Sequence, residues 1–253
     1  MTKLLTGSFG MIGRNLKELL PPMLCPTHSE LDLTDRAQVK EYLDYHKPEQ
    51  IIHCASNDDE ICLYDNLRMF TNLAESNIPM ITFATGRDIE NRPGKVGEYI
   101  LSKYIAQELA LNKYSHIIVL KIWGCFGKYE KETRFFMDNM LRIKRGEPIL
   151  VRENKMFSYV YVKDLARITE KMIDIFNFYF NKNVQIYPRV FNIIGYTHAL
   201  FYYARILQRI TKSPYDIIVE KDDMLKSYAG ENTLKFNPTP LSIALKEVWE
   251  NVK

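Results

Sequence analysis

The sequence has few cysteines, and they form no recognisable pattern. Cys25, Cys54, Cys62 and Cys125 are four cysteines without a C-x-x-C pair or a matching histidine spacing. This argues against a disulfide scaffold and against a zinc site of the usual ligand spacing. Two of the four lie in apolar, strand-like runs, so we expect buried thiols and no bound metal.

Long apolar runs and an excess of one charge are also missing. No segment approaches the roughly 18 apolar residues of a membrane span. Glycines interrupt the apolar start of the chain at once, unlike a signal peptide. The 34 basic and 31 acidic residues leave a net charge of +3, too small to indicate a nucleic-acid or membrane partner. We therefore expect a cytoplasmic protein without either partner.

The chain does contain a regular alternation of short apolar runs and helical patterns. This alternation is typical of βαβ units, and it predicts an α/β fold with a doubly wound parallel sheet covered by helices on both faces. The predicted strands are 3–7, 23–27, 50–56, 80–86, 116–124 and 190–195. The predicted helices are 12–20, 35–46, 62–77, 99–113, 133–145, 163–177 and 199–211.

Three glycines follow the first predicted strand in the segment TGSFGMIGRNL. They have the spacing GxxGxxG and open the first predicted helix. Glycine permits a tight turn and a close approach of the backbone to a pyrophosphate, and the helix start offers free N–H groups to the phosphate charge. The segment therefore predicts a dinucleotide-binding turn, with contacts from Gly7, Phe9, Gly10, Met11, Ile12 and Gly13.

The segment CPTHSELDLTD, after the second predicted strand, bears on the choice of dinucleotide. A carboxylate at the end of this strand usually accepts the ribose 2′-OH of NAD, and here that acid is missing. Thr27, His28 and Ser29 could receive the 2′-phosphate of NADP instead, and Arg14 lies just past the glycine turn. We favour NADP(H). NAD is the alternative, with Thr27 and His28 then being solvated loop residues.

A YxxxK pair in the segment EYILSKYIAQELAL predicts the catalytic residues. Tyr99 and Lys103 are four residues apart, so on a helix their side chains share one face. The ammonium can stabilise the tyrosinate and so lower the pKa of the phenol, which is ordinarily about 10. Tyr99 would then exchange a proton while hydride moves to or from a nicotinamide, and Lys103 would also hold the nicotinamide ribose.

With these motifs the chain resembles the extended short-chain dehydrogenase/reductase family, which contains nucleotide-sugar epimerases, dehydratases and reductases. The region 23–35 is similar to GDP-fucose synthase-like members. The resemblance implies that Asp32 and Leu33 lie near adenine, and that the segment Cys54, Ala55 and Ser56 lies beside the cofactor. The matching segments are TGSFGMIG, ELDLTD, IIHCAS, YILSK, SYVYVKDLA, VFNIIG and NPTPLSIALKEVWENVK.

The resemblance also implies a catalytic Ser or Thr at the end of the fourth predicted strand. Thr85 is our choice, ahead of Thr82 deeper in the strand. Related dehydratases carry an Asp-Glu pair after this residue, and GDP-fucose synthase-like members carry a Cys and a later His. Gly86 and Arg87 follow Thr85 here, and no His appears in WGCFGKYEKET. This favours hydride transfer without further acid–base steps, in a reductase of a nucleotide-linked 4-keto-6-deoxy sugar. A nucleotide-sugar 4-epimerase with tightly bound NAD, or a non-catalytic regulator or scaffold, is the alternative.

Two departures weaken any assignment of the substrate site. Only 13 residues separate Thr85 from Tyr99, fewer than the resemblance leads us to expect, and the family's R-x-x-N-x-Y-G appears as KIWGCFG without the Asn. Candidate substrate residues therefore rest on position alone, and for each a solvated side chain is an equal alternative. Arg134 is the best diphosphate partner because a guanidinium forks onto phosphate oxygens. The candidates are Arg87, Lys128, Arg134 and Asn192.

The chain is expected to divide into two functional parts. We predict a dinucleotide-binding domain over 1–197, in which 124–157 also contribute to the substrate cap, and a small substrate-binding cap over 198–253. The predicted helices 62–77 and 99–113 carry apolar stripes. Related proteins commonly dimerise through the matching helices, so the resemblance implies a homodimer. Core packing within one chain is the alternative explanation of the same stripes.

Overall fold

The computed structural model describes residues 2–86, 97–180, 182, 184 and 189–252, with only the backbone of Asn177 and Lys226. The strands are β1 Lys3–Thr6, β2 Gln50–His53, β3 Met80–Thr85, β4 Ile117–Ile122, β5 Gly124–Phe126, β6 Ile149–Val151, β7 Asn154–Tyr161, β8 Val190–Ile193, β9 Tyr196–Ala199, β10 Ile217–Val219 and β11 Asp222–Tyr228. The helices are α1 Met11–Leu19, α2 Arg36–His46, α3 Leu63–Ala74, α4 Glu98–Asn112, α5 Phe135–Lys144, α6 Val162–Phe180, α7 Leu200–Thr211 and α8 Leu241–Glu250.

The first of two compact units comprises Met1–Lys121 and Ala166–Phe191. Its sheet has the strand order β1-β2-β3-β4-β8, and β1, β2 and β3 pair in parallel. Every residue of β2 is buried. Because successive side chains of a strand point to opposite faces, both faces of this sheet are covered. The predicted α/β class with a parallel sheet is confirmed.

The predicted strand 23–27 is reduced to one parallel bridge between Leu24 and Leu4. Leu24 exchanges two backbone hydrogen bonds with β1, one to Lys3 O and one from Leu5 N. Prolines at 21, 22 and 26 surround it, and proline has no N–H to donate to a ladder. The apolar pattern therefore identified a sheet edge but overstated its length.

Helix α4 is fixed at its C-terminal end by a buried arginine. Arg189, which directly precedes β8, is 6% exposed. Its guanidinium donates to the carbonyl oxygens of Ala110, Leu111 and Tyr114, with a distance of 2.7 Å from Nη1 to Tyr114 O. The last carbonyls of a helix lack partners within the helix, and Arg189 supplies donors for them.

The second unit comprises Ile122–Leu165 and Asn192–Lys253. In one sheet, β7 pairs in parallel with β5 and β11 and antiparallel with β9. A separate sheet consists of β6 and β10, which pair in parallel. A cluster of packed rings forms the core of this unit. A Cβ atom on Gly230 would lie 2.2 Å from the ring of Trp123, so the backbone at Gly230 lies directly against that indole. The ring cluster contains Phe126, Phe136, Tyr159 and Tyr203.

The terminal helix α8 lies in the segment NPTPLSIALKEVWENVK, one of the segments that carry the family resemblance. Glu247 on α8 accepts a hydrogen bond of 2.9 Å from Tyr161 Oη and pairs with Lys163. Lys144 lies over the ring of Trp249, also on α8. The sequence did not predict β5, β6, β7 or β9. These strands are short, or are interrupted by polar residues that hide the apolar pattern.

The compact units follow different boundaries from the functional division predicted at residue 197. Residues 122–165 belong to the second unit, which agrees in position with the predicted contribution of 124–157 to the cap. Which unit binds substrate stays a prediction. Of the four cysteines, all free, Cys62 is buried and the others are half-buried. Within the described ranges, no helix has the length and apolar character to cross a membrane.

Candidate active site

The glycine turn after β1 leaves no room for a side chain at Gly7 or at Gly13. Gly7 has a φ of +70°, and a Cβ atom on it would lie 2.4 Å from the backbone nitrogen of Ala55. A Cβ atom on Gly13 would lie 2.2 Å from the carbonyl oxygen of Gly7. The turn, the start of α1 and the segment after β2 are therefore in backbone contact. The spacing of glycines in the sequence reflects this packing.

The turn also presents donors that the described residues do not use. Gly10 is the N-cap of α1 and provides no side-chain cap. The hydroxyl of Ser8 is buried and has no hydrogen-bond partner among the described residues. A helix start with uncapped N–H groups attracts an anion, and a buried hydroxyl without a partner is uncommon. These features fit a dinucleotide pyrophosphate, which Gly7, Ser8 and the start of α1 would hold.

The predicted donors for a 2′-phosphate are already engaged. Glu30 accepts hydrogen bonds from the backbone N–H of Thr27 at 2.7 Å and from its hydroxyl at 2.9 Å. These bonds lower the pKa of the Glu30 carboxyl. Ser29 lies 3.0 Å from the same hydroxyl, and His28 is exposed. Thr27 therefore binds the Glu30 carboxylate. The sequence lacks an acid at the end of the second predicted strand, but Glu30, three residues later, supplies one to this position.

The residues predicted near adenine have structural partners. Asp32 accepts hydrogen bonds from the N–H and hydroxyl of Thr34, which lower the pKa of its carboxyl. Leu33 packs into the core, and its carbonyl oxygen accepts a hydrogen bond from Asn72 at 2.9 Å. After β2, Cys54 donates its N–H to Thr6 O at 3.1 Å. This segment therefore lies directly beside β1, as cofactor contacts from Cys54, Ala55 and Ser56 would require.

Helix α4 brings the two predicted catalytic side chains together. Tyr99 and Lys103 are both half-buried, and Lys103 Nζ lies 5.8 Å from the centroid of the Tyr99 ring. Burial lowers the pKa of Lys103 to about 8, while Cys54 and Cys62 nearby oppose this shift. An ammonium close to a phenol favours the phenolate. The pair can therefore serve as a proton donor and acceptor.

The sequence missed His53, a buried polar residue behind this pair. His53 Nδ1 lies 2.8 Å from Thr6 Oγ1, and burial, with Lys103 second, lowers the pKa of His53 to about 3. The imidazole is thus neutral. His53, Thr82 and Lys103 line one small cavity, together with Asn66 and Ser102. In the sequence, the only sign of His53's role was its place as a polar residue at the end of an apolar strand.

Thr85 is the last residue of β3 and is half-buried. Helix α4, which carries Tyr99, packs against this strand. Thr82 is buried and pairs with His53 across the sheet. The choice of Thr85 over Thr82 stays a prediction. Arg87 lies outside the described residues.

The other substrate candidates occupy separate positions in the second unit. Lys128 and Arg134 are exposed, and Arg134 is the N-cap of α5. The side-chain amide of Asn192 donates to the carbonyl oxygen of Glu231 at 3.0 Å, which gives Asn192 a structural role. A Cβ atom on Gly124 would lie 2.6 Å from Cδ1 of Tyr159. The ring of Tyr159 therefore fills the space where the resemblance leads us to expect an Asn side chain.

Comparison with known proteins identifies the family. Residues 3–193 match the family model described as the NAD dependent epimerase/dehydratase family. The chain belongs to this family. It is accordingly an NAD(P)-dependent oxidoreductase of the extended short-chain dehydrogenase/reductase type, as the glycine turn and the YxxxK pair predicted.

Two curated family relatives and one solved structure are similar to the chain. It is 23% identical over 260 residues to GDP-L-colitose synthase of Yersinia pseudotuberculosis, covering 83% of this chain and 82% of that protein. It is 42% identical over 57 residues to dTDP-4-keto-6-deoxy-D-glucose reductase of Streptomyces niveus, covering 21% of this chain and only 20% of the relative. The structure of dTDP-4-dehydrorhamnose reductase of Bacillus anthracis in complex with NADP has a TM-score of 0.75 at 17% identity, covering 100% and 99% of the two chains. This likeness confirms the Rossmann-like fold.

Proposed function

We propose that this family member is an NADPH-dependent reductase of a nucleotide-linked 4-keto-6-deoxy sugar. The observation that carries the proposal is the Tyr99–Lys103 pair on α4, in the same compact unit as the glycine turn. The relatives named for reduction of dTDP-4-keto-6-deoxy-D-glucose and for synthesis of GDP-L-colitose support the substrate class. The product would be a deoxysugar for a surface polysaccharide.

In this proposal the chain's own residues bind and orient the reactants and move one proton. The bound nicotinamide supplies the hydride. Thr85 donates a hydrogen bond to the C4 carbonyl oxygen, which polarises the carbonyl. Tyr99 gives its phenolic proton to that oxygen as the carbon is reduced, and the product is an alcohol. Lys103 stabilises the resulting tyrosinate by its charge and holds the nicotinamide ribose.

Glu30 bears on the choice between the two dinucleotides. NADP in the solved reductase supports NADPH, and so does the position of Arg14 after the glycine turn. Binding of a 2′-phosphate at Thr27 requires the Glu30 carboxylate to turn away, which the exposure of Glu30 permits. If Glu30 stays on Thr27, it can instead accept a hydrogen bond from the ribose 2′-OH of NAD. We propose NADPH, with NADH as the measured alternative.

Consumption of NADPH tests the reductase directly. The purified protein is mixed with NADPH or NADH and with a 4-keto-6-deoxy sugar linked to dTDP or GDP, and nicotinamide absorbance is followed. We expect NADPH consumption that depends on the sugar, and a loss of about 10²–10⁴-fold in kcat for Tyr99→Phe, because general acid catalysis contributes this much. Tyr104→Phe, a tyrosine on the same helix, is the matched control.

Three outcomes would contradict parts of the proposal. Tighter binding and faster turnover with NADH would overturn the cofactor assignment. No consumption with either sugar nucleotide would overturn the reductase. Activity that survives Tyr99→Phe unchanged would remove Tyr99 as the proton donor, and nicotinamide binding without turnover on any sugar nucleotide would favour a cofactor-binding scaffold.

A nucleotide-sugar 4-epimerase is the second candidate, and the Glu30–Thr27 contact favours it. A carboxylate at this position suits NAD, which such an enzyme would retain and use in both directions. The epimerase would be purified with nicotinamide already bound and would exchange the C4 configuration of its sugar without net consumption. Absorbance and mass spectrometry of the denatured protein distinguish it from the reductase.

We also propose substrate contacts and an assembly state. Arg134 is the proposed partner of the sugar-nucleotide diphosphate, with Lys128, Arg87 and Asn192 as weaker candidates. A homodimer through α3 and α4 is supported by exposed apolar side chains at Ile61, Tyr64 and Tyr104. Action in the cytoplasm would suit a nucleotide-sugar substrate.

A further inference from the structure

The first residue of the catalytic helix binds the start of the preceding helix. Glu98 Oε2 accepts a hydrogen bond of 2.8 Å from the N–H of Cys62 and one of 2.9 Å from the N–H of Leu63. Cys62 is the N-cap of α3 and offers no side-chain cap of its own. The free N–H groups of a helix start carry a partial positive charge, which a carboxylate satisfies. Glu98 therefore caps α3 from 35 and 36 residues away along the chain.

A second contact joins the same two helical turns. The side-chain amide of Asn66 on α3 donates to Ser102 Oγ at 3.1 Å, and Ser102 Oγ donates to the carbonyl oxygen of Tyr99 at 2.8 Å. Asn66 and Ser102 are both buried. The turn that carries Tyr99 is thus held to α3 on both sides of the tyrosine, at residue 98 and at residue 102.

Asn66 continues this network toward the segment after β2. Its side chain accepts a hydrogen bond of 2.7 Å from the N–H of Asn57 and donates one of 2.8 Å to Asn57 O. Asn57 directly follows Ser56, a proposed cofactor contact. The α3 start is therefore bonded to the turn that bears the proton donor and to the segment predicted beside the cofactor.

We infer that Glu98 is a positioning residue, which sets the place of the Tyr99 hydroxyl by fixing the first turn of α4 on the N-terminus of α3. The inference rests on the proposed function of Tyr99 and deepens it. Glu98 touches neither reactant in this account. It acts by holding the backbone next to Tyr99, and because proton transfer depends steeply on geometry, a displacement of about 1 Å can cost about a hundredfold in rate.

The test compares Glu98→Ala, Glu98→Gln and a control, Glu108→Ala. Glu108 lies on the same helix but bonds only locally, to the side chain of Asn112. Steady-state kcat and KM are measured with NADPH and a dTDP-linked 4-keto-6-deoxy sugar. Circular dichroism and thermal melts identify any variant that fails to fold.

We expect Glu98→Ala to lower kcat by about 10- to 100-fold, with KM for NADPH changed less than about threefold. Glu98→Gln should restore kcat to within about fivefold of the wild type, because its amide oxygen still accepts from the N–H groups of Cys62 and Leu63. Glu108→Ala should match the wild type. Equal losses in Glu98→Ala and Glu98→Gln, or a kcat for Glu98→Ala within twofold of the wild type, would overturn the inference.

A second measurement keeps the inference separate from the proposed function. If the wild type shows no turnover, the reductase proposal is overturned. The placement of Tyr99 is then measured by ultraviolet titration of its phenol. This signal is the difference between each protein and the same protein with Tyr99→Phe. The pH at which the Tyr99 phenol ionises must differ between Glu98→Ala and Glu98→Gln. An identical titration in the two variants would overturn the positioning role whatever the substrate.

Discussion

Glu130 is a carboxyl group buried without adequate partners. It is 6% exposed, and its Oε2 has no hydrogen-bond partner among the described residues. Burial raises the pKa of Glu130 to about 8, although Arg134 and the N–H of Gly127 act in the opposite direction. Cys125 and Tyr159 lie in the same buried environment, and burial raises the pKa of each well above its ordinary value. An unpaired buried charge is costly, so Glu130 carries a proton at neutral pH.

Glu130→Gln is expected to change how stability depends on pH. The folded pKa, about 8, lies above the ordinary 4.5, so the folded protein retains this proton longer than the unfolded chain. The wild type therefore loses stability as pH rises from about 4.5 to about 8, and the cost is constant above that range. The glutamine variant should lack this loss and gain on the order of 2–4 kcal/mol relative to the wild type over the interval. Urea unfolding at several pH values measures the difference.

The comparison between the two proteins is needed because His53 also contributes. Its lowered pKa makes stability fall as pH drops below about 6.5 in both proteins, and this effect cancels in the difference. Parallel pH curves for the wild type and Glu130→Gln would contradict the assigned pKa.

Residues with strict steric needs could be predicted from the sequence, and residues defined by distant partners could not. Gly7 and Gly13 were found because their positions exclude any side chain. The contact between Glu30 and Thr27 was missed although it is local, because it depends on the side-chain conformation of Glu30. Glu98 was missed because its partners lie on another helix. No pattern in the sequence indicates that Glu130 is buried.

Helix α4 is held at both ends by side chains from elsewhere. Glu98 joins its first turn to α3, and Arg189 binds the carbonyl oxygens at its last turn. The N-cap Gly97 provides no side-chain cap, and no basic residue lies in the last turn. Tertiary hydrogen bonds therefore hold both ends of α4.

Arg189→Met is expected to destabilise this helix from its C-terminal end. The substitution keeps much of the apolar stem but leaves three carbonyl oxygens without their donors, at a cost of about 2–4 kcal/mol. Urea unfolding should show this loss, and amide exchange should rise in the last two turns of α4. Arg205→Met, an exposed arginine on α7, is the control. Equal stability of the two variants would rule out the capping role.

Periodicity predicted most elements of the first unit and the helices α5 and α7 of the second, but it did not predict most strands of the second unit. The predicted helices at 35–46 and 62–77 agree closely with α2 and α3. Asp35 caps the start of α2 with its side chain, and α3 carries a clear apolar stripe. In the second unit, β7 mixes Asn, Lys and Ser with aromatic residues, and β11 is mostly polar. Their pairing depends on neighbours that only the folded chain brings together.

At the scale of the molecule, the faces of α3 and α4 divide between the core and solvent. Phe70 and Leu73, part of the predicted stripe, are buried in the chain's own core. Ile61 before α3 and Tyr64 on it are 82% and 75% exposed. Exposed apolar side chains of this size are expected at an interface, which supports the proposed homodimer.

Tyr64→Glu is expected to convert the proposed dimer into a monomer, because it places a charge in an apolar interface. Light scattering after size exclusion should give twice 29.7 kDa for the wild type and the single-chain mass for the variant. Tyr45→Glu, at an 81% exposed tyrosine on α2, is the matched control and should stay dimeric. A wild type that is monomeric at all concentrations would contradict the homodimer.

The indole of Trp123, which lies against Gly230, has a consequence for spectroscopy. The chain has two tryptophans, Trp123 and Trp249, and both belong to the second unit. Intrinsic tryptophan emission therefore reports on that unit alone, whereas far-ultraviolet dichroism reports on helices in both. Non-coincident unfolding curves from the two signals would reveal that the two units unfold separately, without any label being introduced.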